Sequence, residues 1–276
     1  MVQDNRTGSA QAESGTETVM LGDISVAYRR VGRGQPVVFV HGLAEDGDSW
    51  DPILRRLSRD VTGYAPDLRG HGDTTAGSGN GTATQLADDL GAFLKEVTGP
   101  AICVGFSLGG VIVLEAALRH PDLVRKAIVV GTSSKVGRAA VSFFQDRIAQ
   151  VQADMDAFRA GLAADTAAQV VRDHGRVAEI AARRIAAVGS GAGYVNAARA
   201  MIAMAAEPIT ERLRGITVPV HIIQGAADAF CPQKAADILR EAVPTASYAE
   251  IPDAGHLMTV DQPDLLAAEI ARALKI

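Results

Sequence analysis

The sequence predicts an α/β fold, a mostly parallel sheet covered by helices on both faces and interrupted by one all-helical insertion. Three observations carry this expectation. Short apolar runs alternate with amphipathic stretches, the rhythm of β-α units. The runs are nearly continuous Val and Ile, as strands are when both of their faces are buried. From about residue 135 to 208 the rhythm stops and no strand-like run occurs.

Taken in order, Val37-Val38-Phe39-Val40 predicts a strand, and residues 50–57 carry helical spacing after it. Residues 62–66 form a weaker strand. A helix is expected over 83–97, where Leu86, Leu90, Phe93 and Leu94 share a face. Residues 101–106 predict a strand and 108–119 a helix that stops before His120-Pro121. Residues 126–130, 220–223 and 246–251 predict further strands, with helices over 235–242 and 263–274. Inside the insertion, Phe144, Ile148, Val151, Met155, Phe158 and Leu162 recur at steps of three and four and predict one helix stripe. Residues 177–188 and 193–206 also read as helices. The glycine-rich stretches 77–81 and 189–193 match no phosphate-binding spacing and are expected to be loops.

The domain organisation expected from this pass is a disordered tail over 1–16, a core over 17–134 and 209–276, and a helical cap over 135–208. The chain has 276 residues, 47% hydrophobic and 21% charged, with a formal net charge of -5. Such a balance, without a basic stripe, argues against nucleic-acid binding. Residues 1–16 contain no apolar core of a signal peptide, and no run of 18 apolar residues occurs, so a cytoplasmic protein without a membrane span is expected. The two cysteines, Cys103 and Cys231, form no metal-ligand spacing.

The chemistry centres on Gly105-Phe106-Ser107-Leu108-Gly109, a G-x-S-x-G between a strand and a helix. A sharp turn there projects the Ser107 hydroxyl at a helix N-terminus, where free N–H groups favour developing negative charge. A serine is a poor nucleophile without a base. Of the six histidines, His256 lies after the 246–251 strand, at the same carboxyl edge of the sheet as Ser107. His41, His71, His120, His174 and His221 read as structural or surface residues. The imidazole needs an acceptor to hold its tautomer. Asp228, just past the 220–223 strand, is the first candidate, and Asp253 and Asp261 are the alternatives. Two backbone donors are expected for the oxyanion of an acyl-transfer intermediate, the N–H of Leu108 and the N–H of Leu43 in His41-Gly42-Leu43. Phe143, Phe144, Met201 and Met204 either line an apolar acyl pocket or pack the cap.

These residues resemble the α/β-hydrolase superfamily, serine hydrolase branch, over nearly the whole chain after about residue 18. The resemblance rests on His41-Gly42, Asp67-Leu68-Arg69-Gly70-His71-Gly72, Gly105 to Gly110, the Gly225–Asp228–Pro232 turn, and Gly255-His256 followed by Asp261-Gln262-Pro263. The cap start at 131–137 and Gly193-Tyr194 look like 3-oxoadipate enol-lactonases and related esterases. The resemblance implies an eight-stranded sheet with a cap. It also implies hydrolysis of a small-molecule ester or lactone through an acyl-enzyme on a Ser-His-Asp triad, with no metal or organic cofactor. Cleavage of a C–C bond, or a cofactor-free haloperoxidase-like activity, is the alternative on the same residues. A ligand-binding receptor on this fold is a third reading.

Overall fold

The computed structural model describes residues 15–276. Of the tail expected over 1–16, all but Gly15 and Thr16 lies outside the described residues, and Thr16 opens the first strand. The strands are β1 (Thr16–Leu21), β2 (Ile24–Gly32), β3 (Gln35–Val40), β4 (Val61–Pro66), β5 (Ala101–Phe106), β6 (Val124–Val130), β7 (Val220–Gly225) and β8 (Ser247–Ile251). The helices are α1 (Asp51–Leu57), α2 (Ala83–Phe93), α3 (Leu108–Arg119), α4 (Arg138–Ala153), α5 (Met155–Gln169), α6 (Val177–Val188), α7 (Ala192–Ala206), α8 (Gln233–Ala242), α9 (Met258–Asp261) and α10 (Pro263–Leu274).

The eight strands form one sheet in the order β1-β2-β4-β3-β5-β6-β7-β8. Only β2 runs against its neighbours, and every pairing from β4 across to β8 is parallel. The six expected strands are present. The two strands the apolar runs do not reveal, β1 and β2, form a hairpin closed by Gly22 and Asp23, with Gly22 at φ 58°. β1 is an edge strand with most of its residues exposed, so it lacks the buried apolar run that marks the others.

Alternate strand residues point to opposite faces, and each face has its own core. Val38, Val40, Cys103, Val129 and Ile222 pack under α2, α3 and α8. Val37, Phe39, Val104, Phe106 and Ile223 pack under α1 and α10. The Cys103 thiol is pushed up to about 12 by burial, the behaviour of a small apolar side chain. Because β3, β5, β6, β7 and β8 are parallel, the loops after them emerge along one rim.

Between β6 and β7 run α4, α5, α6 and α7. The stripe from Phe144 to Leu162, expected as one helix, is two. The chain breaks at Asp154, at φ -153° and ψ 86°, and the Asp154 carboxylate accepts the Ala157 N–H to cap α5. Val151 and Met155 are four residues apart across the break, so the period survives it and conceals it. Phe144, Ile148, Val151, Met155, Phe158 and Leu162 close with Val188 and Tyr194 into a third core. The insertion meets the loop after β4 backbone to backbone. A Cβ on Gly70, itself at φ 71°, would stand 2.6 Å from Gly193 Cα. Among the described residues no helix is long and apolar enough to cross a membrane.

Candidate active site

Ser107 follows β5 directly and begins α3 at φ 51°, ψ -115°. A non-glycine residue in this region carries backbone strain on the order of 1–3 kcal/mol, so the surroundings must impose it. The glycines around it make the turn possible. A Cβ on Gly105 would overlap the Gly109 carbonyl, one on Gly109 the Val40 carbonyl, and one on Gly110 the Thr132 hydroxyl. Thr132 Oγ1 donates to the Ser107 carbonyl at 3.1 Å, and the Ser107 N–H donates to Val130 at 2.9 Å.

The loops after β5, β7 and β8 bring three side chains together. His256 Nε2 lies 3.1 Å from Ser107 Oγ, and His256 Nδ1 lies 2.8 Å from Asp228 Oδ2. The second oxygen, Asp228 Oδ1, accepts the N–H groups of Phe230 and Cys231 at 2.9 and 2.8 Å, which fixes the carboxylate. An Nδ1–H held on a carboxylate leaves Nε2 free to accept the serine proton. The rings of Phe106 and Phe230 pack on the imidazole with centroids at 4.8 and 5.6 Å, Phe230 nearly parallel to it at 25°. Gly131, at φ 54°, keeps the space beside this pair open: a Cβ there would stand 3.1 Å from Asp228 Oδ2.

The other candidates lie elsewhere. Asp253 is exposed and stands 4.0 Å from Arg172. Asp261 is buried, but its carboxylate accepts the N–H groups of Gly255, Val171, Arg172 and Asp173. It therefore ties the His256 loop to the end of α5, a linkage the sequence did not reveal. His41 is fully buried and driven down to about 3 by burial and by neighbouring His71. His71 is driven down to about 4 by burial. His120 pairs with Asp88, and His221 lies between Ser247 and Glu269. Cys231 is beside Asp228, but burial and that carboxylate push its thiol up, so it stays protonated.

The loop after β3 is held by side chains from both sides. His41 Nε2 accepts the Leu68 N–H at 2.9 Å, so its Nδ1–H donates to the Gly42 carbonyl at 2.8 Å. Glu45 Oε2 accepts the Gly42 N–H at 3.1 Å. Arg184 of α6 donates to the carbonyls of Leu43 and Ala44 at 3.3 and 3.4 Å. The N–H groups of Leu43 and Ala44 donate to no protein acceptor among the described residues, and neither does that of Leu108 at the start of α3. A Cβ on Gly42 would stand 2.8 Å from the Phe106 ring. Gly42→Val should therefore displace the loop, and where the Leu43 N–H serves as the oxyanion donor expected from the sequence, kcat should fall by about 10²-fold. Leu43→Ala, which keeps the N–H, should stay near wild type. Steady-state kinetics on both variants, with thermal melts as a check on folding, tests this.

Two arginines of the insertion, Arg147 and Arg184, are drawn out of solvent. Arg147 is paired with Asp165 at 2.8 Å, and Arg184 is only 7% exposed. A signal for Arg184 exists in retrospect, because it falls on the same α6 stripe as the buried Ala181, Ala187 and Val188. A cavity of about 290 Å³ adjoins it, lined among others by Glu45, Asp46, Arg183, Thr259 and Val260. Burial pushes the Glu45 carboxyl up, against the pull of Arg184. Asp46 is pushed up to about 7 by burial and then by the charges of Asp67, Asp48 and Glu45. None of the four expected acyl-pocket residues lines this cavity. Phe144 packs on the insertion core, and Phe143 stacks edge-on against it at 5.3 Å with Arg147 over its face. Met201 is half-buried, and Met204 is 2% exposed in the main core. Among the described residues no group of three or more His, Cys, Asp or Glu side chains is placed to hold a metal ion.

Comparison with known proteins agrees with this architecture. Residues 37–269 match the model of a family described as the alpha/beta hydrolase family. A Mycobacterium tuberculosis protein provisionally named non-heme bromoperoxidase BpoC is 31% identical over 253 residues, 87% of this chain and 94% of that protein. The 2-(acetamidomethylene)succinate hydrolase of Mesorhizobium japonicum is 27% identical over 263 residues, 90% of each chain. Among solved structures, the enol-lactonase of Burkholderia xenovorans LB400 superposes with a TM-score of 0.84 at 22% identity. That alignment covers 94% of this chain and 100% of the other.

Proposed function

This chain belongs to the alpha/beta hydrolase family, and on that premise we propose that it hydrolyses a carboxylic ester or lactone through an acyl-enzyme on Ser107. One observation supports this reading above the others: the continuous hydrogen-bonded path Ser107 Oγ, His256 Nε2, His256 Nδ1, Asp228 Oδ2. In the proposed reaction Ser107 Oγ attacks the substrate carbonyl as His256 takes its proton. The carbonyl oxygen becomes an oxyanion, received by the N–H groups of Leu43 and Leu108. His256 then returns the proton to the leaving oxygen. Water, deprotonated in turn by His256, releases the acid and restores the serine.

The insertion is proposed as a cap over this site, with half-buried Phe143, Phe144 and Met201 as apolar lining for the acyl group and Met204 behind them. The proposed setting is the cytoplasm, a reading with which the free Cys103 and Cys231 are consistent. A fluorophosphonate probe tests the reaction class. It should add one phosphonyl group, and peptide mass mapping should place it on Ser107. A protein left unmodified while hydrolysing esters would sink the proposal.

A second reading is favoured by the 31% identical relative named as a bromoperoxidase. Hydrogen peroxide in place of water would intercept the same acyl-enzyme, releasing a peracid and free Ser107. The two readings share every residue and differ in the acceptor, so product analysis with and without peroxide separates them.

A further inference from the structure

We infer that Arg184 is a positioning residue for catalysis: from the insertion, it holds in place the loop that carries the Leu43 N–H. This rests on the reading of Ser107 as an acyl-transfer nucleophile and adds a residue to it. The geometry is specific. Arg184 is only 7% exposed, and all four acceptors of its guanidinium are uncharged. Two of them, Thr166 Oγ1 at 2.9 Å and Gln169 Oε1 at 2.7 Å, belong to α5 and anchor the fork. The other two are the carbonyls of Leu43 and Ala44, some 140 residues away in the chain.

Those carbonyls matter because of the backbone they fix. Ala44 sits at φ 59°, a left-handed conformation that an L residue adopts only under constraint. The Leu43 and Ala44 carbonyls flank that residue, and a planar fork that binds both holds its two peptide planes in one orientation. On the other side of the loop, His41 and Glu45 occupy the carbonyl and the N–H of Gly42. The Leu43 N–H shares its peptide plane with the Gly42 carbonyl that His41 holds, and Arg184 fixes the two planes that follow, so the loop cannot turn the Leu43 N–H away without breaking a hydrogen bond. An oxyanion donor works by being aimed before the charge develops, so a residue that fixes its aim acts on the transition state more than on the bound substrate.

The anchor has a second consequence. The Gln169 carbonyl accepts the Leu257 N–H, next to His256, while its side chain holds Arg184. The end of α5 thus touches both the loop that carries the base and the clamp on the loop that carries the oxyanion donor.

The test uses Arg184→Met, Arg184→Lys and Arg184→Ala in the full chain, with p-nitrophenyl acetate as substrate and an aryl trifluoromethyl ketone as the probe of oxyanion binding. Arg184→Met should lose about 10²-fold in kcat while KM moves by less than about threefold, and ketone affinity should fall in step with kcat/KM. Arg184→Lys, which keeps the charge but not the planar fork, should fall between Met and wild type. Guanidinium at millimolar concentration should restore part of kcat to Arg184→Ala, whose truncation leaves the space of the fork open to the adjoining cavity. A kcat within about twofold of wild type, or an equal loss of substrate and ketone binding without rescue, would leave Arg184 as packing alone. If Arg184→Met does not fold, the Lys variant decides on the same criteria. Ser107→Ala in the same assay separates the two ideas. Turnover that survives it overturns the nucleophile, whereas its loss beside a fully active Arg184→Met overturns only the positioning role.

Discussion

Ser107→Ala should lower ester turnover by about 10⁴- to 10⁶-fold, on the scale seen when a serine triad loses its nucleophile. The residue that remains cannot form an acyl-enzyme, so whatever turnover persists comes from binding and the oxyanion donors acting on direct attack by water. The substitution is clean by construction. Ser107 Oγ makes one side-chain contact of consequence, to His256 Nε2, while the backbone around it is fixed by Thr132, Val130 and the glycines on either side. Alanine keeps the Cβ and meets the same strain at φ 51° as serine does. The melting midpoint should therefore change little while kcat collapses. Fluorophosphonate labelling should vanish in parallel. A variant that stays active and stays labelled would remove Ser107 from the chemistry and reopen the choice of nucleophile.

Much of the framework is legible in the sequence because it rests on local patterns. α3 and α10 run over the expected residues, and β5 does too, since each has an uninterrupted apolar pattern with a sharp stop signal. The three site residues are legible for a related reason. Each follows a strand and sits among small residues, a combination that a loop without a function seldom needs. What is illegible depends on contacts distant in sequence. Nothing in the neighbourhood of Arg184 says that two loop carbonyls will meet it, and nothing near Asp261 says that it will collect four N–H groups. The break at Asp154 escapes because a four-residue step carries the helical period across it. β1 escapes because an exposed edge strand has no apolar run to declare it.

Asp228→Asn should reduce kcat/KM by about 10⁴-fold with the fold intact, because it reverses the roles of the two imidazole nitrogens. In the native arrangement Asp228 divides its oxygens. Oδ1 accepts the N–H groups of Phe230 and Cys231, and Oδ2 faces His256 Nδ1. An asparagine keeps its carbonyl oxygen on the two backbone donors, since those bonds set its orientation. Its amide group then meets Nδ1 and donates to it. The proton moves to Nε2, which points at Ser107 and can no longer accept the hydroxyl hydrogen. The variant also loses the charge that stabilises the imidazolium as it forms. Asp253→Asn is the control: that side chain is exposed and faces Arg172, and its loss should leave turnover near wild type. Asp261→Asn should act differently again. It weakens the tie between the His256 loop and the end of α5, so it should lower the melting midpoint as well as kcat. Kinetics and melts on the three variants together distinguish an acid that holds the base from one that holds the loop. If Asp253→Asn were the crippled variant and Asp228→Asn the active one, the acid of the triad would have to be reassigned.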